Sequence, residues 1–305
     1  MLESFPAPIG RFAPTPSGPL HFGSVLAALG SYLDARCAGG RWLVRIDDVD
    51  APRAAPGAGE GILRTLERLG FEWDGAPVWQ QARTDVYDAA FARLRAHGQV
   101  YGCACTRKML ADAPRAVDGS ARYPGTCRDG LPAGVRPRAW RFRVPAGQTA
   151  FDDRVQGPVC EDVGRDAGDF ILKRADGLFA YQLATVVDDA DAGVTDVVRG
   201  IDLIGSTARQ IVLQRALGLP TPRYAHLPVV VDARGQKLSK QSLARAVDGF
   251  PATQLIVDAL SCLGQAPPAS LPRAPLREVW AWAHAHWSMA AVPRRTQVHS
   301  RRDYD

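Results

Sequence analysis

Residues 11–24 run RFAPTPSGPLHFGS, and the fold turns on how this stretch is taken. A short apolar piece gives way to prolines at 14, 16 and 19 and a glycine at 18. His21, Gly23 and Ser24 follow, with the apolar run VLAALGSYL behind them. Such punctuation between two apolar segments predicts a tight turn from a buried strand, GRFAP, into a helix, FGSVLAALGSYLDARCAGG, that ends at a glycine pair. A turn of this kind leaves free backbone N–H groups at the carboxyl edge of a sheet, where the helix dipole also favours anions. Gly18 and Gly23 let a phosphate or a base come close to the backbone, where a Cβ would collide. His21 and Ser24 lie one helical turn apart and can face one ligand, and an imidazole beside a phosphate can donate a hydrogen bond as charge develops. On this stretch alone, a histidine at a helix start is equally well a satisfied surface residue.

Outward from the turn, strand and helix signals alternate. RWLVRIDD is a second strand, EGILRTLERLGF an amphipathic helix, and TDVYDAAFARLRAHGQ another helix with Thr84 or Asp85 as its cap. This β-α-β-α order implies a parallel sheet with helices on both faces. The pattern breaks from Tyr101 to about Pro145, where cysteines, glycines, prolines and arginines crowd together as in an insertion. AWRFRVPAG, TAFDDRVQGPV and DFILKRADGLFAYQLATVVDD read as strands, partly antiparallel. The parallel pattern returns with VTDVVRG as a strand, DLIGSTARQIVLQRALG as a helix, and the apolar strand in AHLPVVVDARG. After Phe250 the chain is helical and ends in a basic segment, RRTQVHSRRDYD, expected to be loose. The expected fold class is α/β, a Rossmann-type doubly wound parallel sheet with a zinc-bearing insertion and a short helical C-terminal segment. Residues 1–100 and 176–245 form the two halves of a nucleotide-binding domain, 101–175 the insertion and 246–305 the helical segment.

Composition narrows the function classes. The 305 residues are 46% hydrophobic and 23% charged, ordinary for a globular chain with a sizeable core. No apolar run is long enough to span a membrane, and MLESFPAPIGRFA lacks the pattern of a secretory signal, so a cytoplasmic protein is expected. A net charge of +5 fits either a polyanionic partner or an arginine-rich proteome. Six cysteines in such a chain should not form a disulfide framework. Cys37, Cys160 and Cys262 stand alone and read as small apolar residues, whereas Cys103, Cys105 and Cys127 cluster. Two thiolates two residues apart with a third downstream suit tetrahedral zinc, although spacing alone equally fits three reduced thiols without metal.

A second basic loop, QKLSKQS at 236–242, follows the apolar strand LPVVVD. By itself it is an ordinary solvated loop. Beside an early phosphate cradle, its two lysines three apart could clamp a polyphosphate as mobile point charges.

HFGS and KLSKQ, in this order on an interrupted doubly wound fold, resemble the two signature motifs of class I aminoacyl-tRNA synthetases. RFAPTPSGPLHFGS, RIDDVD, YQLATVVDD, VVRGIDLIGSTARQ and KLSKQ together resemble the glutamyl branch, from about Gly10 to Gln241. Glutamyl-tRNA synthetases continue with an anticodon-binding domain, whereas only residues 242–305 follow KLSKQ here. With the cysteine cluster, that brevity resembles the paralogue family that glutamylates the queuosine base of tRNA(Asp). The resemblance implies ATP, L-glutamate and queuosine-bearing tRNA(Asp) as partners, Mg²⁺ with the ATP, one structural Zn²⁺, a monomer and no membrane. His21 and Lys240 are implied as the catalytic residues, with Gly23, Ser24, Lys237 and Ser239 also on the ATP. Arg11, Phe12, Ala13, Pro14 and Thr15 would lie along the glutamate, with Ser17 on the same turn; Arg11 and Arg199 would face its carboxylates, Tyr181 would add a hydroxyl and Asp47 would meet its ammonium.

Two positions depart from the pattern: aspartate stands where RIED has glutamate, with Asp48 or Asp50 able to compensate, and Ser24 replaces the second histidine of the signature. Tyr123 matches a tyrosine used by the paralogue as fourth metal ligand; its phenol, with a pKa of about 10, must lose a proton to bind well, and Asp112, Asp129 or water are the other choices. The rival readings are a truncated synthetase charging tRNA(Glu), a non-catalytic RNA-binding paralogue, and a nucleotidyltransferase acting on a small metabolite.

Overall fold

In the computed structural model the described residues are 7–116, 119, 121–231, 245–300, 302 and 304. The chain opens with β1 (Ile9–Phe12), α1 (Phe22–Cys37), β2 (Arg41–Ile46), α2 (Ala58–Arg68), β3 (Val78–Trp79) and α3 (Thr84–Ala96). The middle holds β4 (Val100–Cys103), β5 (Ala139–Phe142), the hairpin β6 (Thr149–Asp153) and β7 (Gly157–Glu161), the short α4 (Val163–Asp166) and β8 (Ile171–Lys173). Then come α5 (Tyr181–Asp191), β9 (Asp196–Gly200), α6 (Ile204–Leu217), β10 (Arg223–Leu227), β11 (Val229–Val231), α7 (Ala252–Cys262), α8 (Leu276–His286) and β12 (Gln297–His299).

The large sheet has seven strands in the order β3-β2-β1-β9-β10-β6-β7. All its pairs are parallel except the β6–β7 hairpin, which lies within residues 101–175 and extends this sheet at one edge. Strand order reverses between β1 and β9, and that is where a doubly wound sheet opens a crevice at its carboxyl edge. The β-period sends alternate residues of β1 to opposite faces. Phe12 packs in the core with α1, while Arg11 meets Asp189 of α5 on the other side.

Helices cover both faces. One core packs α1, α2, α7 and α8 against the sheet, and another packs α3, α5 and α6 with β4 and β5. Eleven of the 16 residues of α1 are buried, because the helix lies between sheet and C-terminal helices. Gly30 allows this close fit: a Cβ there would stand 2.5 Å from Leu227 Cδ1 of β10.

Four local expectations are corrected. YQLATVVDD is helix α5, not a strand: Gln182, Thr185, Asp188 and Asp189 recur at helical spacing, and residues 182–189 are all buried, so these polar groups meet protein rather than solvent. The apolar strand of AHLPVVVD divides at Pro228, which cannot donate to a ladder, into β10 and β11. Thr84 opens α3 rather than capping it; Arg83 is at the cap position, and the Thr84 hydroxyl donates to Gln81 O. The basic tail is docked: β12 pairs with β11, and Tyr304 is 1% exposed.

Candidate active site

A cavity of about 460 Å³ opens at the carboxyl ends of β1, β2 and β9. It brings together Arg11, Phe12, Ala13, Pro14, Thr15, Ser17, His21, Gly23, Ser24, Asp47, Tyr181 and Arg199, which the sequence scatters over four segments. Lys237, Ser239 and Lys240 lie outside the described residues. Val229 and Val230 of β11, the strand that precedes them, line the same cavity.

At the α1 end, His21 is the N-cap residue, and its Nδ1 accepts from Ser24 N at 3.3 Å. With Nδ1 as acceptor, a neutral imidazole carries its proton on Nε2 and is a donor there. The motif therefore sets a tautomer as well as a position.

The opposite end is built from cations held by buried partners. Arg11 Nε is 3.3 Å from Asp189 Oδ1. The same carboxylate oxygen accepts from Arg45 Nη1 at 2.5 Å, and Arg45 Nε donates to Asp47 Oδ1 at 2.6 Å. Burial opposes charge on Asp189, yet Arg11 and Arg45 together hold its carboxyl below the usual carboxylate range. Burial pushes the Asp47 carboxyl up, with Arg45 offsetting only part of that. Asp47 is thus tied through Arg45 to the carboxylate that holds Arg11. Asp48 and Asp50 have partners of their own: Asp48 Oδ1 accepts from Gln81 N at 2.9 Å, and Asp50 pairs with Arg174 at 2.9 Å.

Arg199 is fixed on several sides. Its Nε donates to His226 Nε2 at 3.2 Å, Nη1 to the Tyr181 hydroxyl at 3.3 Å, and Nη2 to Thr207 Oγ1 at 2.8 Å. His226 Nδ1 in turn meets Asp153 Oδ2 at 2.6 Å, with neither side chain exposed. Burial holds the His226 imidazole below its usual pKa, and Asp153 opposes this. A neutral His226 with its proton on Nδ1 donates to Asp153 and accepts from Arg199, so every contact in the chain has the right sign. Sequence reasoning missed Asp153, His226, Thr207, Arg45 and Asp189. Of these, Arg45 in RIDDVD, Asp189 in YQLATVVDD and Thr207 in VVRGIDLIGSTARQ lay within quoted motifs, whereas Asp153 and His226 carried no signal.

The cysteine cluster forms as a separate small unit. The sulfurs of Cys103, Cys105 and Cys127 lie within 4.8 Å of one another, and Cys105 and Cys127 are 3.6 Å apart. The Tyr123 oxygen is 3.4 Å from Cys103 Sγ and 3.7 Å from Cys105 Sγ, and accepts from Cys127 N at 2.8 Å. Tetrahedral zinc with Zn–S near ~2.3 Å would separate its sulfurs by about 3.8 Å, so three thiols and the phenol oxygen fit a four-ligand centre. Asp112 and Asp129 are not part of the cluster among the described residues. The Arg141 guanidinium lies over the Tyr123 ring at 3.7 Å, and its Nε is 3.3 Å from Cys103 Sγ. Burial raises the Cys103 thiol, but its hydrogen bonds with Tyr123 and Arg141 bring it down to about 7, toward the thiolate that a metal requires. Gly168, at φ +72°, admits the Tyr123 segment: a Cβ would stand 2.5 Å from Tyr123 O.

Residues 9–253 match the family model of the class I tRNA synthetases (E and Q), catalytic domain. Fold, crevice and match define the class: an aminoacyl-tRNA synthetase, a ligase, on a Rossmann-like core. Glutamyl-Q tRNA(Asp) synthetase of Aromatoleum aromaticum is 60% identical over 97% of this chain and 94% of its own, and that of Dechloromonas aromatica is 57% identical over 95% and 97%. The chain belongs to the glutamyl-Q tRNA(Asp) synthetase family. A glutamate-tRNA synthetase from Elizabethkingia anophelis shares the fold with a TM-score of 0.79 at 24% identity, over 96% of this chain and 68% of that one. No helix among the described residues is long and apolar enough to cross a membrane.

Proposed function

We propose that the protein activates L-glutamate with ATP to glutamyl-adenylate and transfers the glutamate to the queuosine base of tRNA(Asp), with no tRNA needed for the first step. The observation that carries this reading is one cavity lined by two chemically distinct groups, fixed arginines and a helix start with a histidine donor, which we read as its two ends. A dicarboxylic amino acid suits the first end, where Arg11 and Arg199 supply permanent charge, Tyr181 a hydroxyl and Asp47 a partner for the ammonium. ATP suits the second, where Gly23 and Ser24 would take the phosphate side with His21, while Phe12, Ala13, Pro14 and Thr15 would run along the glutamate. Attack of the glutamate carboxylate on the α-phosphate expels pyrophosphate and builds charge on the phosphoryl oxygens, which His21 with Lys240 would stabilise, aided by Lys237 and Ser239; attack of a queuosine hydroxyl on the adenylate carbonyl then releases AMP. Mg²⁺ would accompany the ATP phosphates.

The arginines stand on buried partners before any ligand arrives, and that preorganisation supports activation without tRNA. One structural zinc on Cys103, Cys105, Tyr123 and Cys127 would staple the insertion, whose own apolar cluster is small. The testing experiment offers radiolabelled glutamate with tRNA(Asp) bearing queuosine, tRNA(Asp) lacking it, and tRNA(Glu), beside pyrophosphate exchange without RNA. Label on the first acceptor alone, with exchange in its absence, is expected. Exchange that appears only with tRNA(Glu) rejects the queuosine reading.

A further inference from the structure

The end of the chain touches the flanks of the lysine-loop segment and the start of α1. β12 pairs in parallel with β11 through Val229 and Gln297, Val230 and Val298, and Val231 and His299. Val229 N also donates to Thr296 O at 3.0 Å. β11 is the last described stretch before residues 232–244, and Arg245 is the first after them. Arg245 N donates to Tyr304 O at 3.3 Å, and two residues on, Val247 N donates to Leu20 O at 3.1 Å. The Tyr304 ring stacks on Phe22, centroids 4.1 Å apart and planes 11° apart, and meets Phe250 edge-on at 5.0 Å. Its hydroxyl donates to Asp258 of α7 at 2.6 Å. Phe22 is the first residue of α1 and follows His21 directly.

Ordering a backbone costs about 1–2 kcal/mol per residue, so a terminal segment stays docked only where burial offsets that cost. Three of the places it touches, β11, Arg245 and Phe22, lie close to a signature motif in sequence, while Phe250 and, in α7, Asp258 anchor it as well. The glutamate end stands on β1, β2, α5 and β9, and none of these tail contacts falls on it.

We propose that β12 and Tyr304 form a brace that fixes the His21 turn relative to the two flanks of the lysine loop, making Tyr304 a positioning residue for the nucleotide end of the cavity. The inference rests on the reading of His21 and the lysines as the phosphate-binding end. It predicts a split that general destabilisation would not produce. Glutamate-dependent ATP–pyrophosphate exchange is measured for wild type, Tyr304→Ala, Tyr304→Leu and Tyr304→Phe. Tyr304→Leu fills much of the volume without the stack and supplies a folded protein should the alanine variant not fold. Loss of the ring should raise KM for ATP about tenfold and leave KM for glutamate within about twofold, because a small misplacement of donors is felt only by the ligand they face. Tyr304→Phe keeps the stack and should keep the wild-type KM for ATP. Equal KM values for ATP in wild type and Tyr304→Leu, or a parallel rise in both KM values, overturn the brace. Calorimetric titration with ATP alone separates this from the functional reading. Wild type without glutamate-dependent exchange rejects that reading, while unchanged ATP affinity in Tyr304→Leu rejects the brace.

Discussion

In the cavity Arg11 is held by a partner from a distant part of the chain, and Arg199 by nearer ones of which His226 leans on a distant aspartate; in the cysteine cluster all four donors come from residues 103–127. Arg11 and Asp189 are 178 positions apart, Arg45 and Asp189 are 144 apart, and His226 and Asp153 are 73 apart. Cys103 and Tyr123 are 20 apart, and Tyr123 and Cys127 only 4. The cavity is therefore assembled by long-range contacts, whereas the cluster's donors are local, with Arg141 and Gly168 packed against them from further along the chain. This predicts that damage in one place should be read out as chemistry and in the other as local stability.

Arg199→Lys should have the largest effect. Lysine keeps the charge but loses the fork that reaches His226, Tyr181 and Thr207 together. A hydrogen bond to a charged group contributes about 1.5–3 kcal/mol, so kcat/KM for glutamate should fall about a hundredfold. Saturation kinetics with glutamate as the varied substrate, beside a thermal midpoint close to that of wild type, check it. A variant of wild-type efficiency would show that the network does not serve the substrate.

Cys127→Ser should sit at the other pole. About one zinc per chain is expected in the purified protein, and the variant should lose it. Hydrogen exchange should rise over residues 101–130, while glutamate activation without RNA stays within a few-fold of wild type. Metal-free wild-type protein with normal protection in that segment would remove the staple. Gly168→Ala tests the same knuckle more gently. At φ +72° and 2.5 Å from a carbonyl oxygen the methyl has no room, and a strained residue of this kind costs about 1–3 kcal/mol. The thermal midpoint should drop by a few degrees without change in glutamate KM.

The contrast also explains what could be read from the chain. The cysteine spacing and the turn at His21 are local patterns, and both are geometrically assembled as read. Arg11, Tyr181 and Arg199 were legible through motifs, but their partners were not. His226 sits in an apolar strand without any cue that it faces an arginine, and Asp153 is one of two adjacent acids in TAFDDRVQ. In α5, Gln182, Thr185, Asp188 and Asp189 recur at helical spacing, but β-branched Thr185, Val186 and Val187 pull the reading toward a strand. The tail was misread because its composition is that of a solvated end, while Val298 and Tyr304 are placed by partners far away in sequence.

Acid should separate the two regions by their titrating groups, and this is the smallest effect expected. His226 has its folded-state pKa lowered by burial, so between that value and the ordinary histidine value near ~6.5 the unfolded chain binds more protons than the folded one. Stability from this residue is full above about pH 6.5 and falls as the pH drops through the window. Burial opposes charge on Asp153, but its bonds with His226 and Gln156 hold the carboxyl below its ordinary value, so its contribution is lost only at lower pH, beginning near the ordinary carboxylate value of about 4. Metal release from the cysteines runs in the same direction, since protons compete for the thiolates. His226→Gln distinguishes the two: the amide can donate to Asp153 and accept from Arg199 as neutral histidine does, but it cannot charge. Thermal midpoints from pH 7.5 to 5.5 should therefore fall less in His226→Gln than in wild type, while zinc release over the same range stays unchanged. Superimposable midpoint curves for the two proteins would mean that the buried histidine does not set the acid response, leaving the cysteine cluster as its source.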